Sequence, residues 1–90
     1  MEFKHLAAFT AVVRYQSFTK AARALFLTQP SVSAQVSQLE EELQTKLLEW
    51  TTKSIRLTAA GEVIIYIFKP VFYVFFTIWN INSILFTLRI

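Results

Sequence analysis

Hydrophobic residues recur at helical spacing through the first forty-three residues of the chain. One stripe follows the spacing i, i+3, i+4 and i+7, which predicts a short amphipathic helix, and comprises Phe18, Ala21, Ala22 and Leu25. A second stripe predicts another helix and comprises Val32, Val36, Leu39 and Leu43. An earlier stripe predicts a helix over residues 3 to 15 and comprises Leu6, Phe9, Thr10 and Val13. Three such apolar faces can share one core.

Residues that can cap a helix stand where the later two stripes begin. Ser17 precedes the first and Thr28 the second, and each can accept a hydrogen bond from an unpaired backbone N–H. Pro30 is tolerated in a first helical turn because the N–H groups there lack intrahelical partners. Two helices joined by a short break, with small polar side chains first on the second helix, have the layout of a helix-turn-helix that reads DNA.

Short apolar runs replace the helical spacing after the second of these helices. Two such runs, Leu47 to Trp50 and Ile55 to Leu57, flank a polar group and predict two strands around a turn, a small β-wing. The predicted fold is therefore mainly α, with a helix-turn-helix over about residues 18–37, a wing over about 47–57 and a linker or dimerisation helix from residue 59, followed by an apolar tail. We expect residues 1–58 to form the DNA-binding domain and residues 59–90 the linker and tail.

The fourth predicted helix has both favourable and unfavourable signals. Thr58 can cap it, and Glu62 in its first turn is favoured by the helix dipole, although Gly61 weakens the segment. Pro70 removes a backbone donor, so we expect the helix to be kinked or to end at about Lys69.

The charge of the chain hints at a polyanionic partner, whereas its chemistry argues against catalysis. The net charge is +3, and residues 1 to 39 contain one acid, Glu2, against four bases, Lys4, Arg14, Lys20 and Arg23. The chain contains no Cys or Asp, and its one histidine, His5, is expected at or near the surface. The run Glu40 to Glu42 is interpreted as a solvated helix end. We therefore expect no enzymatic activity, no cofactor and no metal. The lack of Cys and of a signal peptide predicts a cytoplasmic protein.

Residues 63–90 differ in composition from the residues before them. They contain no acid and two bases, Lys69 and Arg89, among many aromatic and β-branched residues. Residues 71 to 88 are uncharged, but Asn80, Asn82 and Ser83 would be costly in lipid, so burial against a second copy is favoured over a membrane span. A truncated or frameshifted remnant that acts only as an interaction or membrane-associated module is the alternative interpretation.

Two motifs carry a resemblance to a known family. The segment SFTKAARALFLTQPSVSAQVSQLEEEL, followed by KLLEWTTKSIRLTAAGE, resembles the N-terminal winged helix-turn-helix of LysR-type transcription regulators over roughly residues 1 to 62. The resemblance implies sequence-specific binding of double-stranded DNA by a homodimer, with the helix after residue 58 as the dimerisation linker. The large effector domain of such regulators has no counterpart here, so no small-molecule effector site is expected in this chain.

The resemblance also implies which residues contact DNA. Carried over position by position, these residues are Thr28, Gln29, Pro30, Ser31, Ser33, Ala34, Ser37 and, in the wing, Lys53. This chain departs from the family pattern at Ala34 and Trp50, where Arg is frequent, and at Gln44, where Gly commonly ends the helix.

Side-chain chemistry supports part of this set independently. Gln29 can form a bidentate pair with adenine, and Ser33 lies one helical turn later on the same face. Ser17 and Thr19 begin the first motif helix, whose N-terminal N–H groups can hold a phosphate, although a plain helix cap explains them equally well. Lys53 can neutralise a phosphate. A dimer of such domains would read inverted-repeat DNA.

Overall fold

The computed structural model describes the backbone of residues 2–51 and 53–89, and the side chains of residues 2–51, 53–71, 73, 74, 77 and 78. Within these residues the chain forms the elements α1 (Phe3–Tyr15), α2 (Phe18–Leu25), α3 (Gln29–Leu43), β1 (Leu48–Trp50), β2 (Ile55–Leu57) and α4 (Ala59–Arg89). The prediction of a mainly helical, winged helix-turn-helix fold is confirmed.

The core lies between α1, α2 and α3, which pack against one another in all three pairs. Its largest fully buried side chains are Phe9, Leu39, Leu47, Val12, Val32 and Val36. Ala21 and Ala22 are also buried, and their short side chains allow α2 to approach its neighbours closely. The hydrophobic stripes identified in the sequence therefore do meet in one core.

Helices α2 and α3 each begin with a side-chain cap and end at a residue in the left-handed backbone conformation. Ser17 accepts a hydrogen bond from the backbone N–H of Lys20 at 3.1 Å, and Thr28 accepts one from Ser31 at 3.3 Å. Phe26 and Gln44 follow the two helices with φ of 57° and 53°, the conformation that usually favours glycine. Each ends its helix abruptly and turns the chain towards the next element.

The wing is a two-stranded antiparallel sheet joined to the core by a buried carboxylate. Leu48 pairs with Leu57, and Trp50 pairs with Ile55. Glu40 was expected at a solvated helix end, but it is 5% exposed, and its Oε2 accepts hydrogen bonds from the N–H groups of Leu47 at 2.8 Å and Leu48 at 3.3 Å. The expectation was wrong because Glu40 lies on the inner side of α3, where the chain into β1 presents unpaired donors.

Helix α4 begins as expected but does not end as expected. Thr58 Oγ1 accepts a hydrogen bond from the N–H of Gly61 at 3.0 Å, which confirms the cap. The predicted end near Lys69 is wrong, because α4 continues through Pro70 to Arg89. A proline removes one backbone donor from a helix, and the loss is tolerated here within a helix of 31 residues.

Gly61 also has a role that its low helix propensity conceals. It is buried, and a Cβ at this position would clash with the backbone carbonyl oxygen of Leu47. Glycine at this position therefore allows α4 to lie directly against the chain that enters the wing.

The described part of α4 has three distinct faces rather than an apolar surface all round. One face packs against the core through Ala60, Ile64, Ile65 and Phe68. A second, which we call the aliphatic stripe, is more than half exposed and comprises Val63, Ile67, Val71, Val74 and Ile78. The third is more polar, is also exposed, and comprises Glu62, Tyr66, Lys69, Tyr73 and Thr77.

Within the described part of the chain, no helix combines the length and hydrophobicity that crossing a membrane requires. Asn80, Asn82 and Ser83, whose polarity argued against a span, lie outside the residues whose side chains are described.

His5 is more deeply placed than the sequence suggested. It is 6% exposed, and its Nδ1 lies 3.6 Å from Oε1 of Glu42 on α3. The expectation of a surface or half-buried residue was wrong because α1 turns this position towards α3. The residue therefore belongs to the interface between two core helices.

Candidate nucleic-acid interface

Helix α3 presents a polar ridge opposite its buried side. Val32, Val36 and Leu39 are fully buried and anchor the helix to the core. The opposite side is open to solvent and carries small or uncharged side chains. We call this surface the α3 ridge; it comprises Gln29, Pro30, Ser33, Ala34 and Ser37. All five are exposed except Ser33, which is half-buried. A ridge of this kind can enter a groove without steric hindrance from long side chains.

The N-terminus of α3 is shaped by its own caps. Thr28 is exposed, and its hydroxyl accepts a hydrogen bond from the Ser31 N–H, so this oxygen is already engaged as a helix cap. Ser31 is half-buried, and its Oγ lies 3.4 Å from the side-chain nitrogen of Gln35. Gln29 is the first residue of α3 and is exposed. Of these three residues, Gln29 is therefore the one whose side chain is exposed and takes no part in these hydrogen bonds.

The start of α2 offers a second exposed polar position. Ser17 is half-buried as the helix cap, whereas Thr19 and Lys20 are exposed. The Ser17 hydroxyl accepts a hydrogen bond from the Lys20 N–H, and the side chains of Thr19 and Lys20 remain exposed. An anion near this end would be favoured by the helix dipole.

The wing supplies a cation at its turn. Lys53 is exposed, and its backbone N–H lies 3.2 Å from Oγ1 of Thr51, which also accepts from Ser54. These bonds fix the turn while the ammonium group extends into solvent. Arg56 is exposed on β2, directly opposite Glu49 on β1, so its charge has an acid as a cross-strand neighbour.

The distribution of charge separates the two ends of α3. Exposed bases Lys20, Arg23 and Lys53 lie on α2 and the wing, whereas exposed acids Glu41 and Glu42 lie at the C-terminal end of α3. A polyanion that approaches these bases would therefore avoid Glu41 and Glu42.

Two features of this surface were not found from the sequence. Glu40 supports the wing from below, and its spacing of four residues from Val36 and three from Leu43 places it on the buried stripe, a signal that could have identified it. Trp50 packs edge-on against Phe18 with ring centroids 5.2 Å apart, which connects the wing to α2. Such a contact between distant residues has no periodic signal in the chain.

Comparison with known proteins identifies the family. The family model described as bacterial regulatory helix-turn-helix protein, lysR family, matches residues 3–62. The chain is 51% identical over 63 residues to the HTH-type transcriptional regulator AlsR of Bacillus subtilis (strain 168), covering 70% of this chain and 21% of AlsR. It is 47% identical over 62 residues to the HTH-type transcriptional regulator BudR of Klebsiella aerogenes, covering 69% of this chain and 43% of BudR.

A solved structure extends the likeness to three dimensions. The DNA-binding domain of BenM in complex with catB site 1 DNA matches with a TM-score of 0.76 and 36% identity, covering 92% of both chains. The sequence matches, by contrast, span less than half the length of AlsR and BudR. The capped helices, the wing and the family model agree with one another, and the chain belongs to the LysR family of bacterial helix-turn-helix regulators.

Proposed function

We propose that this chain binds double-stranded DNA with sequence specificity as a homodimer and thereby regulates transcription in the cytoplasm, at the nucleoid. The observation that carries the proposal is the α3 ridge, an open polar surface on a helix whose other side is locked into the core. The BenM DNA-binding domain, which is similar in fold, was solved in complex with catB site 1 DNA. An interaction-only remnant is not favoured, because both motif helices, their caps and the wing are intact.

In the proposed complex, the N-terminal half of α3 lies in the major groove. Gln29 forms a bidentate pair with an adenine, and Ser33 reaches a base or phosphate on the same face. The remaining contacts of the α3 region come from Thr28, Pro30, Ser31, Ala34 and Ser37. Ser17 and Thr19 at the start of α2 and Lys53 in the wing contact the phosphate backbone. Because Ala34 carries no hydrogen-bonding group, readout depends more on Gln29, Ser33 and the shape of the DNA.

The proposed dimer forms through α4. The aliphatic stripe exposes Val63, Ile67, Val71, Val74 and Ile78 on one side of the helix, away from the side that contacts the core. Pairing of two stripes would remove this apolar surface from water. A symmetric pair of domains would then present two α3 ridges to an inverted repeat.

Enrichment from a library of randomised duplexes tests the proposal. We expect the full chain to enrich an inverted repeat, and Gln29→Ala to weaken binding of that duplex by about 1 to 3 kcal/mol through one base position, because a bidentate contact is lost. The affinity for each single-base variant of the duplex, measured by fluorescence anisotropy, locates the position at which discrimination disappears.

Lys53→Ala is the matched control, because it removes a proposed phosphate contact rather than a contact with a base. It should weaken specific and random duplexes to a similar extent and reduce the salt dependence of binding by about one phosphate contact. Equal losses on both kinds of DNA for Gln29→Ala would contradict the role given to Gln29. Failure of the full chain to enrich any duplex would contradict the proposed function itself.

A further inference from the structure

We propose that Trp50 is an additional DNA contact, in which the indole N–H donates a hydrogen bond to the sugar-phosphate backbone between α2 and the turn of the wing. The proposal rests on the proposed function and adds a residue to the binding surface. Trp50 is not among the DNA-binding residues expected from the sequence, whether from side-chain chemistry or from the family resemblance.

Strand β1 directs Trp50 to the same side as the core. Side chains two residues apart in a strand share a face, and Leu48, two residues before Trp50, is 2% exposed. Trp50 therefore projects beyond the edge of the core, where its ring meets Phe18 with an interplanar angle of 71°. Because Phe18 is the first residue of α2, the indole is held between the wing and the beginning of the helix-turn-helix.

Half of the ring stays available for a partner despite this contact. Trp50 is 49% exposed, and its indole N–H has no hydrogen-bond acceptor among the residues that the structure describes. The indole N–H can only donate, so a suitable partner must offer an acceptor. A tryptophan that is packed on one side and open on the other gains most from a partner with both an apolar and a hydrogen-bonding part. The sugar and phosphate of a DNA strand supply these two parts.

The charges on either side of Trp50 favour such a strand. Lys20 is exposed on α2, and Lys53 is exposed in the turn that follows β1. Glu49, the acid next to Trp50 in sequence, points to the opposite face of the strand and stands across from Arg56. A phosphate that approaches the indole therefore lies between two elements that each carry an exposed cation.

In the proposed contact, the indole of Trp50 binds a phosphate as a neutral donor. A neutral donor releases no counterion when it binds a phosphate. We expect Trp50→Arg to steepen the dependence of log K on log salt by about 0.9, the contribution of one further ionic contact. Binding of the native chain depends less on salt at this point of the surface.

Substitution by phenylalanine is the decisive test, because it keeps a ring against Phe18 and removes the donor. We expect Trp50→Phe to bind the enriched duplex about tenfold more weakly, as a lost hydrogen bond to a charged group implies, with an unchanged melting temperature. Tyr66→Phe is the matched control: it also removes a polar hydrogen-bonding group from an aromatic ring, but on α4 at an 85% exposed position, and should bind like the native chain.

A spectroscopic measurement separates contact from an indirect effect on the wing. In a Trp79→Phe background, Trp50 is the one remaining tryptophan of the two in the sequence. We expect the enriched duplex to reduce quenching of its fluorescence by acrylamide, a neutral quencher, at least twofold. Unchanged quenching together with native affinity of Trp50→Phe would overturn the inference while the proposed function stands. If the native chain enriches no duplex, the proposed function fails, and this inference fails with it.

Discussion

At the scale of single residues, a side chain can satisfy backbone groups that would otherwise be buried without a hydrogen-bond partner. Glu40 is a charged residue inside α3, yet it is buried because two consecutive backbone N–H groups, those of Leu47 and Leu48, need an acceptor where the wing begins. Lys46 lies 3.8 Å from the other carboxylate oxygen and is 76% exposed at its side chain, so it offsets part of the buried charge from the solvent side. The carboxylate thereby connects α3 to the wing.

Removal of this carboxylate should loosen that connection. Glu40→Ala leaves two N–H groups without an acceptor, and we expect the free energy of unfolding to fall by about 2 to 3 kcal/mol, measured by urea denaturation. Glu40→Gln keeps an amide oxygen that can accept from the same donors, so its loss should be no more than about half as large. Equal losses for the two variants would show that charge rather than hydrogen bonding is essential.

At the scale of helices and strands, small residues stand where the backbones of two elements lie close together. Ala21 and Ala22 allow α2 to lie close to the other core helices, and Gly61 allows α4 to lie against the carbonyl of Leu47. The hydroxyl of Thr58 adds a second link at this junction, since it donates to the carbonyl of Lys46 at 2.6 Å. The start of α4 is thus fastened to the chain segment that enters the wing.

Enlargement of Gly61 should therefore disrupt this junction. Alanine is the better helix former by about 1 kcal/mol, yet we expect Gly61→Ala to destabilise the fold by about 1 to 3 kcal/mol, because its methyl group would meet a backbone oxygen that cannot rotate away. Thermal unfolding followed by circular dichroism measures the change. Ala59→Ser, two residues earlier at an exposed position, is the control and should change stability by less than about 0.5 kcal/mol. A stabilised Gly61→Ala variant would contradict the close approach.

At the scale of the whole molecule, the proposed dimer depends on the aliphatic stripe of α4. We expect Ile67→Asp, in the aliphatic stripe, to convert the dimer into monomers at concentrations where the native chain is dimeric, because pairing would bury an unpaired charge. Sedimentation velocity measures the change. Tyr66→Asp introduces the same charge on the polar face of α4 and should leave the dimer intact. Dissociation by both variants, or by neither, would exclude the aliphatic stripe as the interface.

Local patterns in the sequence determined most of the helical architecture. The caps of α2, α3 and α4, the spacing of their apolar residues and the polar turn of the wing are all interactions between residues close in the chain, so their positions could be read directly. The polar ridge of α3 was predictable for the same reason, since a helix with one buried stripe must expose the opposite side. The family motifs lie in these same local segments.

Only the tertiary structure decided the features that depend on neighbours distant in sequence. The hydrogen bonds of Glu40 to the start of the wing, the burial of His5, the need for glycine at Gly61 and the contact of Trp50 with Phe18 arise where separate elements meet. The continuation of α4 through Pro70 likewise overrides the local preference of that residue. Propensity and periodicity describe one element at a time, whereas desolvation, steric fit and hydrogen-bond pairing are decided by what packs against it.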